Sequence, residues 1–403
     1  MIEPRLRFKA DDGSDFPDWE EKILGELGTF TKGAALSKAD ISDEGNPLIL
    51  YGELYTTYKE VAYEVKRKTQ AIVDKIYYSN VGDVLIPTSG ESAEEISTAT
   101  CVMVPNVILA GDLNIFRSTV IDGRIMSYIL NYQAKWKIAT IAQGKSIVHI
   151  QAKQLGKIFV EYPVDKDEQQ KIADFLSTID TIIEKQWATV SAWEERKKGV
   201  MQKLFSQEVR FKADDGSAFP DWEEKKIEEL IQLYDEKVAS GCELPVLTSS
   251  KKNGIEYQEE HFAGKQRHDI DGYNVLPRNY CTYRNRSDGT DFTFNINRLC
   301  DKGIVSKFYP VFKENNCDLF FLVSLLNNEP QAVRKIAYTA KGTGQKVLSI
   351  IDLKSIMIMM PSLPEQQKIA DCLSALDTVI EKQKETLEKW QELKKGLLQQ
   401  MFV

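Results

Sequence analysis

One stretch of this chain occurs twice, and it limits the possible folds more than anything else in the sequence. Residues 168–186 read EQQKIADFLSTIDTIIEKQ, and residues 365–383 read EQQKIADCLSALDTVIEKQ. Fifteen of the nineteen positions match at an offset of 197. Apolar residues recur in steps of four and three at Ile172, Leu176, Ile179, Ile183, Val190, Trp193, Val200 and Leu204. The second copy repeats them at Ile369, Leu373, Leu376, Ile380, Leu387, Trp390, Leu397 and Met401. That spacing is a heptad seam, so each copy, from 168 to 205 and from 365 to 402, is expected to form one long amphipathic helix. Neither stretch contains proline. Both interrupt the seam at the same places, with Gln186 and Lys197 in one and Gln383 and Lys394 in the other. Polar seam residues cost stability but set register and partner choice.

A second repeat precedes each module. Residues 7–27 read RFKADDGSDFPDWEEKILGEL, and residues 210–230 read RFKADDGSAFPDWEEKKIEEL, with seventeen of twenty-one positions matching. The turn formers Asp11-Asp12-Gly13 and the aromatic anchor Phe16-Pro17-Asp18-Trp19 predict an exposed turn followed by a docking segment. The chain is thus lead-in segment, module, long helix, repeated once. The intervening modules show no matching similarity except in their final strand-like stretches.

Each module is expected to be mixed α/β. In the first, residues 47–51, 82–87, 102–109, 147–150 and 158–160 are strand-like, and 124–138 has the pattern of an amphipathic helix. In the second, 275–277, 280–283, 292–296, 303–312, 347–351 and 356–360 are strand-like, and 319–326 and 331–336 are helical. The expected boundaries are a first module at 1–166 with its lead-in at 7–27, a central helix at 167–206, a second module at 207–363 with its lead-in at 210–230, and a final helix at 364–403. The fold class is α+β: two mixed α/β modules separated by two long helices that pair as an antiparallel coiled coil, with a pseudo-two-fold internal repeat.

The 403 residues suffice for two or three domains, each with its own core. No apolar run approaches the ~18 residues of a membrane span, and MIEPRLRFKADDG lacks the apolar core of a signal peptide, so a cytoplasmic location is expected. Six scattered cysteines without a C-x-x-C pair point to reduced thiols. Together with three distant histidines, His149, His261 and His268, they argue against a metal site. The net charge of −8 lies in the two lead-in stretches: 1–27 and 207–230 each hold 4 basic and 8 acidic residues. Residues 28–166 hold 15 of each sign, and 231–363 hold 17 basic and 15 acidic. A basic face on either module is therefore compatible with the overall charge.

Catalytic signatures fail. Gly144-Lys145-Ser146 lacks the first glycine of a phosphate loop, since position 139 is Ala. Asp18, Glu20 and Lys22, repeated as Asp221, Glu223 and Lys225, mimic a nuclease set. They lie too close in sequence for carboxylates that converge from separate strands, and instead suggest the start of a short helix. Asn46-Pro47-Leu48-Ile49 lacks the aromatic of an amino-methyltransferase motif. What remains is a set of polar, basic and aromatic loops suited to phosphates and base edges. In the first module these carry Tyr55, Tyr58, Lys66, Arg67, Lys68, Ser89, Arg117 and Arg124. In the second they carry Lys251, Lys252, Lys265, Gln266, Arg267, Tyr283, Arg284, Asn285, Arg286, Lys341 and Gln345.

The paired helices, the FPDWEEK segments and the strand GDVLIP with its Ser-Gly-Glu turn resemble the DNA-specificity subunit of type I restriction–modification enzymes. That resemblance implies two target recognition domains, each reading half of a bipartite, asymmetric double-stranded DNA site. It implies antiparallel helices that act as spacer and carry two methyltransferase subunits, through which restriction subunits join. It further implies a chain that catalyses nothing itself, with S-adenosylmethionine, ATP and Mg used by its partners. Thirty-eight helical residues span roughly 57 Å, enough for half-sites about one turn, ~34 Å, or more apart. A duplicated coiled-coil scaffold that binds only proteins is the alternative.

Overall fold

A computed structural model describes residues 4–144, 147–262, 264 and 269–402. Contacts divide the chain into two units: Met1–Ala188 with Glu385–Val403, and Thr189–Lys384. Each unit holds one module, part of the first long helix (Lys166–Phe205) and part of the second (Leu363–Phe402).

Both units use one plan, although their module sequences differ. In the first, the main sheet runs Thr29–Lys32, Leu113–Arg117, Asp83–Pro87, Thr100–Val102, Val61–Ala62, antiparallel except for its last pair. In the second, it runs Ile231–Tyr234, Val311–Glu314, Cys281–Tyr283, Phe294–Ile296, all antiparallel. The first module adds a three-stranded sheet of Arg67–Thr69, Asn46–Leu50 and Ile108–Ala110. A helix follows each main sheet, Gly123–Tyr128 or Leu319–Asn328, capped by the carboxylate of Asp122 or Asp318. This shared order was invisible in the sequence because inward strand positions accept any apolar residue of suitable size.

The repeated motifs clasp each module closed. In the first unit, Arg7 makes a two-pronged bond to the buried Glu168 at 3.0 Å, and its guanidinium also donates to the Pro17 carbonyl at 2.6 Å. In the second, Arg210 grips the buried Glu365 at 3.0 and 2.8 Å and donates to the Pro220 carbonyl. The next residue of each motif reaches into its module. The Gln169 amide accepts from Asp122 N (2.8 Å) and donates to Pro163 O, and that of Gln366 accepts from Asp318 N (2.9 Å) and donates to Pro361 O. Lys171 and Lys368 then pair with Asp11 and Asp214 of the acidic turns at 2.6 Å. Phe16, Trp19 and Trp222 are buried as anchors. Pairing of Glu20–Ile23 with Phe159–Tyr162, and of Glu223–Lys226 with Met357–Met360, ties the start of each module to its end.

The helical seam holds within each unit. Ile172 and Leu176 share a core with Leu398, Met401 and Phe402, while Leu204 and Phe205 share one with Ile369 and Leu373. Those contacts set the start of one long helix against the end of the other, which is antiparallel pairing. Ile179, Ile183, Val190 and Ile380 are buried; Trp193, Val200, Leu376, Leu387 and Trp390 are half-buried. At the end of the second helix Leu398 takes the buried place, and Leu397 is half-buried. The 3.6-residue turn has drifted from a strict heptad over that length.

Several local expectations are corrected. Residues 124–138 do not form one amphipathic helix. Gly123–Tyr128 is wholly buried, Ile129–Gln133 widens into a π-turn in which Ala134 N bonds Ile129 O, and Lys135–Ile141 follows. The Asn131 amide bonds both N and O of Ala99, pinning the widened turn. Residues 102–109 are two strands around a turn at Asn106, which has φ 60°. Residues 303–312 likewise split into Lys302–Val305 and Val311–Glu314. Residues 350–351 belong to a helix, Ile350–Lys354, whose N-cap is Ser349. Glu20, Lys22, Glu223 and Lys225 lie on strands, and the one-turn helices begin later, at Leu24 and Ile227.

Candidate nucleic-acid interface

The central strand of each module leads into a turn held by the same set of backbone bonds. In the first module Thr88 N donates to Asp112 O (2.8 Å), and Ile150 N donates to Thr88 O (3.0 Å). In the second Asn285 N donates to Phe308 O, and Leu348 N donates to Asn285 O, both at 2.9 Å. Ser89–Gly90 then pairs antiparallel with Val148–His149, as Arg286–Ser287 does with Lys346–Val347. Gln143 bridges to His149 as Lys341 bridges to Val347. Thr88, Ser89 and Asp112 therefore occupy the places of Asn285, Arg286 and Phe308. One scaffold position carries unlike side chains in the two modules.

In the second module this turn unites two sequence-distant clusters. Arg284 and Arg286 are exposed, and Asn285 is half-buried. The Arg286 guanidinium lies 4.1 Å from the Phe308 ring centre, with the Lys307 ammonium 5.9 Å from the same ring. Gln345 donates to Asp288 at 3.1 Å, and the exposed Lys341 pairs with the half-buried Asp352 at 2.5 Å, a bond that holds that carboxyl below the usual range. Tyr283 is a core residue: its hydroxyl donates to Leu348 O at 3.0 Å, and burial pushes its phenol up. Lys251 and Lys252 lie on a separate hairpin turn between Leu247–Ser250 and Gly254–Tyr257, with Lys251 bonded to Asp291. Lys265, Gln266 and Arg267 lie outside the described residues, as do Lys145, Ser146 and His268.

In the first module the Tyr55 hydroxyl donates to Ser89 O at 2.8 Å, and Ser89 Oγ bonds Asp112 at 2.6 Å, so two predicted clusters again meet at the turn. Burial, with the nearby Glu95 charge adding to it, pushes the Tyr55 phenol up. Tyr58 is buried and accepts from Lys66 N. Arg117 braces the interior through Asp83 and Tyr78 O. Arg124 joins Asp122 and Asp174 at 2.7 and 2.8 Å; burial opposes its charge, but those carboxylates outweigh it and raise its pKa. Tyr58, Ser89, Arg117, Arg124 and Tyr283 are thus engaged inside their modules. Lys66, Arg67 and Lys68 are exposed, with Arg67 3.4 Å from Glu53. Sequence reasoning missed Lys307, Phe308 and Asp112, which reach the turn only through strand pairing.

Among the described residues, no group of His, Cys, Asp and Glu could hold a metal ion, and no helix is long and apolar enough to cross a membrane.

A family model described as the type I restriction modification DNA specificity domain matches residues 17–189 and 220–389. The chain is 25% identical over 412 residues to the type I restriction enzyme MjaVIII specificity subunit of Methanocaldococcus jannaschii, covering 95% of this chain and 92% of that one. Among solved structures, the type-I restriction-modification system S subunit from M. genitalium superposes with a TM-score of 0.62 at 14% identity, covering 100% of this chain and 99% of that one. A chain from a structure addressing complex assembly and conformational transition of the type I R-M system gives 0.50 at 15% identity, covering 96% and 98%. With the family domain matched once in each repeat, the chain belongs to the DNA specificity subunits of type I restriction–modification systems.

Proposed function

We propose that this subunit reads a bipartite, asymmetric double-stranded DNA site, one half with each module. The observation that supports this most is the shared turn: one backbone scaffold occurs twice, with Ser89 beside Asp112 in one copy and Arg286 beside Phe308 in the other. Equal scaffolds with unequal side chains suit two different half-sites. The duplicated clasps offer the same framework surface twice, which suits two identical methyltransferase subunits, through which restriction subunits would join. On this reading the chain supplies recognition and no chemistry of its own; S-adenosylmethionine, ATP and Mg serve its partners.

The test is binding by the assembled complex. The logarithm of the sequence-specific binding constant should fall linearly with the logarithm of salt concentration, as phosphate contacts require. Exchanging residues 231–360 for the second module of another family member should change one half of the methylated site and leave the other. Equal affinity for random and cognate duplexes, or a change in both halves together, would refute the proposal.

A further inference from the structure

We propose that Arg286 is the residue of the second module that reads a guanine, held for that task by Phe308, with Arg284 and Lys307 on neighbouring phosphates. This rests on the reading of the modules as DNA recognition domains and assigns its chemistry to named atoms. Among the described residues, Arg284, Arg286 and Lys307 have no carboxylate within ion-pair distance, whereas Lys251, Lys341 and Arg278 are each neutralised by an aspartate. Three unpaired cations from two chain segments therefore gather where Asn285 N bonds Phe308 O.

The stacking of Arg286 explains why it, rather than its neighbours, reads a base. A guanidinium lying on a ring keeps its edge donors free while losing much of its rotational freedom. Such a fork matches the O6 and N7 acceptors of guanine in the major groove, the commonest specific contact to DNA. Arg284, two residues away and exposed, and Lys307, on a flexible stem, suit phosphate oxygens that carry no sequence information. At the equivalent place in the first module Ser89 is bonded to Asp112, so no arginine fork exists there. The inferred guanine dependence consequently belongs to one half-site only.

The experiment uses the full chain assembled with its modification subunits, reading methylated sites in cells and binding to duplexes with single base changes. Arg286→Ala should weaken discrimination at one guanine of the second half-site by roughly tenfold to a hundredfold, with the first half-site unchanged. Phe308→Ala should relax the same position to a lesser degree. Lys307→Ala should lower affinity for all sequences alike and reduce the salt slope by about one. Arg298→Ala is the control: that arginine is also exposed and stacked, on Phe320, but lies outside the turn, and its loss should leave preference unchanged. Thermal unfolding of each variant separates misfolding from lost contact, and the exposed Arg286 keeps the test decisive if Phe308→Ala proves unstable. A folded Arg286→Ala complex with unaltered preference at every position overturns the assignment. If the exchange of residues 231–360 still rewrites the second half-site, only Arg286 was misassigned; if that exchange changes nothing, the recognition reading falls with it.

Discussion

Lys394 and Lys197 occupy the same place in the helical repeat, yet their surroundings set their worth. In the first unit Lys394 is buried between Glu60 (2.9 Å) and Asp180 (2.7 Å), beside the Tyr128 ring. In the second, Lys197 meets Asp377 with both side chains partly in water. Removing one partner of a buried ion pair strands the other, whereas an exposed pair is screened. Lys394→Met should therefore lower stability by about 3–5 kcal/mol and Lys197→Met by less than about 1 kcal/mol, read from urea unfolding. Equal losses would contradict the burial argument. Glu60 adds a pH dependence. Burial pushes its carboxyl up, but the Lys394 charge and the Tyr132 and Lys394 hydrogen bonds outweigh burial and hold it below its ordinary 4.5. A carboxyl whose folded value is depressed stabilises fully above its unfolded value and loses that contribution as pH falls through the folded one. The stability gap between the natural chain and Glu60→Gln should thus be widest near neutrality and shrink in acid below the ordinary value of 4.5. A gap independent of pH would show that folding does not lower the pKa of the Glu60 carboxyl.

At the scale of elements, the long helices combine two faces with different duties. The first turns of the repeat carry the glutamate, glutamine and lysine that clasp a module, and the seam runs along each helix from Ile172 and Ile369 onward. Ile183 and Ile380 are 4% and 6% exposed. Replacing either with Asp buries an unpaired charge and should cost several kcal/mol, about 3 or more. Lys389→Ala, on the exposed side of the second helix, should stay within about 0.5 kcal/mol. Chemical denaturation of all three variants settles the point, and a change at Ile183 or Ile380 as small as that at Lys389 would remove the seam as a source of stability.

For the whole molecule, the first unit is discontinuous in sequence. Its core contains Trp19, Tyr128 and Ile172 together with Leu398, Met401 and Phe402, and the Phe402 ring lies 6.2 Å from that of Tyr128. The second unit is one continuous stretch, Thr189–Lys384. A chain ending at Lys384 should therefore lose its first unit selectively, since deleting even one buried Phe side chain costs about 3–5 kcal/mol. Hydrogen exchange should rise across the first module's sheet and helix while the strands around Cys281–Tyr283 keep their protection. Unchanged exchange at Tyr128 and Ile172 would show that the C-terminal residues contribute nothing to that core.

The sequence by itself determined the parts whose residues repeat or alternate locally. These are the two long helices, the duplicated lead-in, the strands at 83–87 and 357–360, and the family resemblance that rests on them. Periodicity fixes such features because a helix or strand face is defined by near neighbours in the chain. Tertiary structure alone decided the common sheet order, the widened turn at Ile129–Gln133 and the composition of the candidate interface. Tyr58, Arg117, Arg124 and Tyr283 looked like surface readers in a linear string; folding placed their polar atoms on internal partners. Phe308 had no local signal at all, because its value lies in a strand partner that brings it beneath Arg286. Local pattern is written in adjacent residues, but a surface that could read DNA is assembled from residues far apart in the chain, and only the folded pairing of strands brings them together.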